Sequence, residues 1–253
     1  MHDSRRTDAG PAIDESQPAA ANAQDALSSG RWAWEWIRSF LIAFGLFLVI
    51  RTFLVEAFRI PTGSMENTLL AGDFLLVNKA VYGAAVPFTP LRTPGLAEPT
   101  RGDIVVFEPP HEPGRNYVKR LVGTPGDTLE MHNKTLHLNG RPLDEVYTRH
   151  SDLNDIYASD MFWQCEHAPA PVRGDNCRPT RDNWGPVVVP QGRYFMLGDN
   201  RDESEDSRYW GFVERRSIKG RPLFVYYSFD PASRRRAPWL SSIRWGRIGS
   251  TVN

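Results

Sequence analysis

The sequence predicts a mainly β protein. An N-terminal transmembrane helix precedes a coiled β-sheet or barrel-like domain that carries a smaller inserted β lobe. Two observations lead there. A single apolar stretch, Trp32 to Ile50, approaches membrane length. Beyond it, short apolar runs recur between Gly, Pro and Asp breaks with no helical period between them.

Residues 1–31 are rich in Ala, Asp, Ser and Gln, show no apolar period and read as a disordered tail. Residues 32–51 read as the transmembrane helix. At about 1.5 Å per residue, Trp32 to Ile50 spans about 28 Å, close to a hydrocarbon core of roughly 30 Å. Arg38 and Arg51 bracket the charge-free part and must snorkel to opposite surfaces, while Trp32, Trp34 and Trp36 suit an interfacial belt. A cleaved signal peptide fits less well, because no small-x-small site follows the apolar run. The polar face is too thin for a helix lying on the surface. Arg5, Arg6, Arg31 and Arg38 precede the span and Arg51 and Arg59 follow it, so charge alone orients it weakly.

Residues 52–253 then form one globular domain, long enough to bury a sizeable core. Strand-like runs lie at 73–77, 103–107, 117–122, 135–138, 193–197 and 223–227, and Asn139-Gly140 is a hairpin signal. Residues 141–187 have weaker patterning and read as the inserted lobe. Cys165 and Cys177 lie in it, in a Pro/Asp/Asn-rich stretch; a disulfide and two free thiols both fit.

The formal net charge is zero, which argues against nucleic acid as the main partner. There is no CxxC or HExxH, and the six histidines show no ligand spacing, so no metal is expected.

Ser64, in Phe58-Arg59-Ile60-Pro61-Thr62-Gly63-Ser64-Met65, stands just past the apolar stretch in a Gly/Pro turn that presents it. A serine nucleophile needs a base. No GxSxG elbow is present and no histidine looks positioned, which disfavours a His-based triad. A neutral lysine can serve if burial lowers its ordinary pKa of about 10.4. Of the four lysines, Lys134 and Lys219 adjoin turn signals, whereas Lys79 and Lys119 lie in apolar runs. Lys119, among Tyr117, Val118, Leu121 and Val122, is the better candidate; a strand-edge lysine reaching water is the competing reading. The run Gly198 to Gly211 is dense in polar groups able to hold a turn, and lacks the register of a calcium loop.

Four blocks together, in this order, resemble bacterial type I signal peptidases, which are membrane-anchored Ser/Lys proteases. They are Phe58–Leu69, Gly72–Val77, Arg101–Phe107 with Tyr117–Asp127, and Gly198–Gly211. The tail and roughly residues 130–190 remain unmatched. The resemblance implies Ser64 as nucleophile and Lys119 as general base, with Ser204 holding the lysine amine. The Thr62 hydroxyl and the Ser64 amide would form the oxyanion site. Asp206 and Arg208 would be a structural ion pair supporting their loop. Ile60, Met65, Leu69, Tyr117 and Val118 would line the P1 side of the substrate site, and Phe58, Leu75 and Val106 the P3 side. Where the family commonly has proline after the serine, this chain has Asn67, which is expected to loosen the turn.

The implied activity is removal of signal peptides from translocated preproteins after Ala-x-Ala sites, without a cofactor. The implied location is the bacterial inner membrane, N-terminus inside and catalytic domain on the periplasmic face. A narrow-substrate Ser/Lys maturation protease and a membrane-anchored binding module are the alternatives.

Overall fold

The computed structural model describes residues 18–169 and 177–252 of the 253-residue chain. Two compact units are present, the first ending at Val49 and the second beginning at Ile50. The first is helix α1, Pro18–Val49. It starts well ahead of Trp32, which corrects the expected tail: Pro18 suits a first helical position, and the Ala-rich run behind it meets no glycine before Gly30. Residues 1–17 of the expected tail lie outside the described residues. The 21 helical residues Trp34–Leu54, which run past Val49, are long and apolar enough to cross a membrane. Their large apolar side chains, Phe40 and Leu41 among them, are exposed. A span apolar all round whose described side chains are exposed suits a lipid environment.

The second unit is built on two antiparallel sheets. The larger takes β1 (Val55–Arg59), β2 (Asp73–Asn78), β3 (Ile104–Phe107), β4 (Tyr117–Gly123), β9 (Arg193–Leu197), β10 (Val213–Glu214) and β11 (Ile218–Ser228), in the order β1-β2-β11-β3-β4-β9-β10. The smaller takes β5 (Thr128–His132), β6 (Thr135–Leu138), β7 (Arg141–Pro142) and β8 (Trp184–Val188), in the order β7-β6-β5-β8. All six predicted runs are strands, and the molecule is mainly β, as the sequence predicts.

Strand β11 curls the large sheet. Its start pairs with β3, through Ile218↔Phe107 and Gly220↔Val106, and its remainder pairs with β2. The register shifts in both ladders, as bulges that bend and twist a strand do. Gly220 sits at the handover, where a Cβ would stand 2.5 Å from the Asn78 carbonyl oxygen. Inward residues of β2, β3 and β11, with Ile60, Met65 and Leu69, form the core layer beneath the Ser64 turn.

The smaller sheet begins at Thr128, so the lobe starts before residue 141. Asn139-Gly140, both at positive φ, turns β6 into β7, which places that hairpin inside the lobe rather than at its border. Between β7 and β8 the chain is irregular around the short helix α2 (Trp163–His167). Cys165 and Cys177 are joined in a disulfide, which resolves the alternative left open by the sequence.

Candidate active site

Ser64 follows β1 in a tight turn. Glu66 N–H donates to Gly63 O (2.9 Å), and Thr68 and Leu69 N–H donate to Met65 O (3.0 and 2.7 Å). The turn is pinned from the far end of the chain. Asn200 N–H donates to Ser64 O (3.1 Å) and its side-chain amide donates to Gly63 O (3.1 Å).

Strand β4 brings Lys119 to Ser64. Lys119 Nζ lies 2.6 Å from Ser64 Oγ, and both residues are buried, at 4 % and 8 % exposure. Among the described residues Lys119 has no ion-pair partner, whereas Lys79 pairs with Glu56, Lys134 with Asp182 and Asp202, and Lys219 with Glu108. Burial pushes the Lys119 pKa down to about 8; Asp206, Glu205 and Asp199 pull it back up and Arg208 lowers it further. An amine poised there is available as a base near neutral pH.

The loop after β9 supports this pair. Asp206 and Arg208 are wholly buried and bidentate, with Arg208 Nε to Oδ1 and Nη2 to Oδ2 both 2.8 Å. Burial alone would raise the Asp206 pKa, but the Arg208 charge and its hydrogen bonds outweigh it and hold the carboxylate below its usual range. Asp206 also accepts from Gly198 N–H (3.1 Å), and Arg208 donates to Arg201 O (2.6 Å). Sequence reasoning missed a second buried pair. Arg120, next to Lys119, binds Asp199 through Nε (2.9 Å) and Nη2 (2.8 Å), and Thr68 Oγ1 donates to the same carboxylate (2.5 Å). Gly198-Asp199-Asn200 lies in one of the sequence blocks, but nothing in its spacing shows that Asp199 faces Arg120 and Asn200 faces Ser64.

Ser204 is 4 % exposed and packs on Gly198 beside the Ser64 carbonyl. Its Oγ is buried with no hydrogen-bond partner, so the expected bond to Lys119 is not among its contacts here. A buried hydroxyl left unpaired costs about 1–3 kcal/mol, the sort of exception that marks a working site.

A cavity of about 530 Å³ opens over the pair, lined by Phe58, Ile60, Thr62, Met65, Tyr117 and Val118 of the expected residues. It also takes Arg59, Arg115, Glu203 and Glu205, a charged rim that the sequence did not reveal. Leu69, Leu75 and Val106, also expected to line the substrate site, are not among its lining residues. Each is fully buried and packs in the core layer below. On β2 alternate side chains turn inward, which sends Leu75 into the core.

Asn67 corrects another expectation. Its φ is +89°, a value closed to proline, and its side-chain amide donates to Tyr147 O and Thr148 O, both at 3.3 Å. Where the family has a ring, this turn has a left-handed residue tied to a neighbouring loop.

The description "Signal peptidase, peptidase S26" belongs to the family model that matches residues 33–227. The chain belongs to the signal peptidase family. Signal peptidase I of Pseudomonas aeruginosa is 38 % identical over 223 residues, covering 83 % of this chain and 78 % of that one. Signal peptidase I of Aquifex aeolicus is 33 % identical over 225 residues, covering 76 % and 83 %. A crystal structure of a signal peptidase I from Enterococcus faecalis V583 shares 33 % identity, covering 49 % of this chain and 96 % of that one, with a TM-score of 0.34. Membership makes this chain a serine endopeptidase of signal-peptidase type, whose substrates are preproteins bearing signal peptides. Its N-terminal apolar helix fits a membrane-anchored signal peptidase.

Two outcomes follow from the geometry. If Lys119 is the base, it must lose its proton to act, and kcat/KM should rise with pH through a midpoint of about 8. Removing the Glu205 charge in Glu205→Gln removes a contribution that raises the Lys119 pKa, and the midpoint should move to lower pH, less so in high salt. A midpoint that stays put at low salt would show that Glu205 does not sense Lys119. The second concerns Gly198, where a Cβ would lie 2.2 Å from Ser204 Oγ and 2.5 Å from Ser64 O. Gly198→Ala should lower kcat roughly 100-fold while far-ultraviolet circular dichroism stays that of the parent.

Proposed function

We propose that the chain removes signal peptides from translocated preproteins, cutting after Ala-x-Ala sites, with Ser64 as nucleophile and Lys119 as general base. The observation that carries this reading is the 2.6 Å approach of a buried, ion-pair-free lysine amine to a serine hydroxyl.

In this mechanism neutral Lys119 accepts the Ser64 hydroxyl proton while Oγ attacks the carbonyl carbon of the scissile bond. The Ser64 amide has no acceptor among the described residues, and Thr62 is exposed in the same cavity. Both are placed to donate to the developing oxyanion, where each such donor is worth about 3 kcal/mol. The C–N bond breaks as Lys119 returns its proton to the leaving amine, giving an acyl-enzyme on Ser64. Water then attacks the ester carbonyl, again with Lys119 taking the proton, and Ser64 is released. Ser204 acts as a positioning residue: its unpartnered hydroxyl is free to turn to the amine when that amine is charged.

An extended substrate would add to β1, which ends the large sheet. Alternate side chains of a strand point the same way, so residues P1 and P3 would meet the cavity together. The apolar wall of Phe58, Ile60, Met65, Tyr117 and Val118 suits small apolar groups there. Ser64 follows Leu54, the end of the apolar stretch, by ten positions, which suits a substrate that is itself held in the membrane. The proposed topology has the tail inside, the span near residues 32–51 and the catalytic domain on the outer face of the inner membrane.

Cleavage of a purified Ala-x-Ala preprotein in detergent tests the reading. Ser64→Ala and Lys119→Met should each lose about 1,000-fold or more in kcat. Cleavage at the parental rate by either variant would sink the Ser/Lys assignment.

A further inference from the structure

The nucleophile turn is gripped from two sides. Asn200 holds it from one, and the other grip comes from residues 145–149, a segment outside the four blocks named above. Asn67 donates to the carbonyls of Tyr147 and Thr148, and Glu66, beside it, pairs with Arg149. The segment is in turn fixed to the loop behind the dyad. Arg149 N–H donates to Asp199 O (2.8 Å), Arg201 N–H donates to Arg149 O (2.9 Å), and Arg201 Nη2 reaches Glu145 (2.7 Å). The Arg120 guanidinium lies 3.8 Å over the Tyr147 ring while it binds Asp199. One short strap thus touches the serine turn, the arginine beside Lys119 and the loop that carries Ser204.

The backbone of Asn67 explains why the strap is needed. At φ +89° the turn has left the region that most residues prefer, and asparagine is among the few side chains tolerated there. Nothing rigid in the residue keeps it so. Proline would be rigid, but with φ fixed near −65° it could not take this shape. The side-chain amide supplies the restraint instead, by binding a strap that is itself hydrogen-bonded to the loop behind the dyad.

We propose that Asn67, through its amide to residues 147 and 148, is a positioning residue that holds the Ser64 turn at attack distance from Lys119, with the Glu66–Arg149 pair as a second tie. The inference rests on the reading of Ser64 as nucleophile. It makes the 145–149 strap part of how the site is built, and it gives the lobe a direct hold on the rate.

The test uses the full chain in detergent with the preprotein substrate. Asn67→Gly keeps a residue at home at positive φ but removes the amide; Asn67→Asp keeps the shape and removes the donor. Each should lower the single-turnover acylation rate about 10-fold with KM changed less than about twofold, since misplacing reacting groups slows chemistry more than binding. The pH midpoint should stay at about 8, because the lysine environment is untouched. Parental acylation in Asn67→Gly would overturn the proposal, and so would a rate lost through a shifted midpoint. Glu66→Arg and Arg149→Glu should each cost about threefold, as exposed pairs do, and the double exchange should restore the rate. No restoration would remove the second tie. Hydrogen exchange at the amides of residues 64–69 is followed in parallel. Faster exchange in Asn67→Gly is expected whether or not Ser64 proves to be the nucleophile, so a failed catalytic reading and a failed strap are told apart. Unchanged exchange would overturn the strap itself.

Discussion

Stripping water from an ammonium group costs several kcal/mol, and Lys119 sits where no carboxylate within ion-pair distance offsets that cost. The site is arranged around this one amine. Two of the carboxylates that act on it, Asp206 and Asp199, are each engaged by an arginine, so their charge reaches Lys119 partly offset. The pKa therefore settles at about 8 instead of returning to its ordinary value. Below that pH the folded protein must carry a buried charge that the unfolded chain carries in water. The group's contribution to stability is therefore complete above the unfolded pKa and lost as pH falls toward 8, a penalty of roughly 3 kcal/mol. Three clusters of buried apolar side chains elsewhere in the domain supply the burial that offsets such a cost.

The two arginine–carboxylate pairs do more than neutralise charge. A buried pair rarely adds much to stability compared with an apolar replacement, yet removing one partner strands the other. Here both pairs also fix backbone. Asp206 binds the Gly198 amide, Arg208 binds carbonyls at 201 and 204, and Arg120 binds the carbonyl of Gly102. The loop between β9 and α3 (Ser207–Trp210) has only short helical turns of its own, so its shape comes from these side chains. Bidentate guanidinium geometry is directional, which lysine in the same place would not supply.

The legible parts of this protein are those written in local pattern. The runs at 73–77, 103–107 and 193–197 are contiguous and apolar, and they became β2, β3 and β9, buried on both faces or nearly so. Strand β1 escaped notice because Val55-Glu56-Ala57-Phe58-Arg59 is a half-exposed edge carrying two charges. Strand β8 escaped because Trp184-Gly185-Pro186 reads as a break; proline is tolerated there since β8 ends its sheet. In the site, Lys119 could be ranked above the other lysines by its apolar neighbours, but its approach to Ser64 spans 55 residues and Arg120–Asp199 spans 79. No spacing rule reaches that far. The family motifs implied the Ser64–Lys119 pairing but not Arg120–Asp199, and they misled at Asn67, where this chain departs from them; at Leu69, Leu75 and Val106 apolar character says core or pocket equally well.

Gly198 shows how little freedom remains once these constraints meet. It is the residue after β9, and β9 pairs with β4, the strand that carries Lys119, through Arg120↔Leu197. The sheet register therefore fixes Gly198 close to the lysine's neighbour. Its Cα lies against Ser204 and the Ser64 carbonyl, nearer than any Cβ would allow. Its amide goes to Asp206 and its carbonyl accepts from Arg201 Nε (3.1 Å). Strand pairing on one side and backbone contact on the other thus frame the hydroxyl–amine distance, beside the side-chain tie proposed for Asn67. Neither of these two depends on a flexible side chain finding its place, which suits a buried amine with no ion-pair partner among the described residues to hold it.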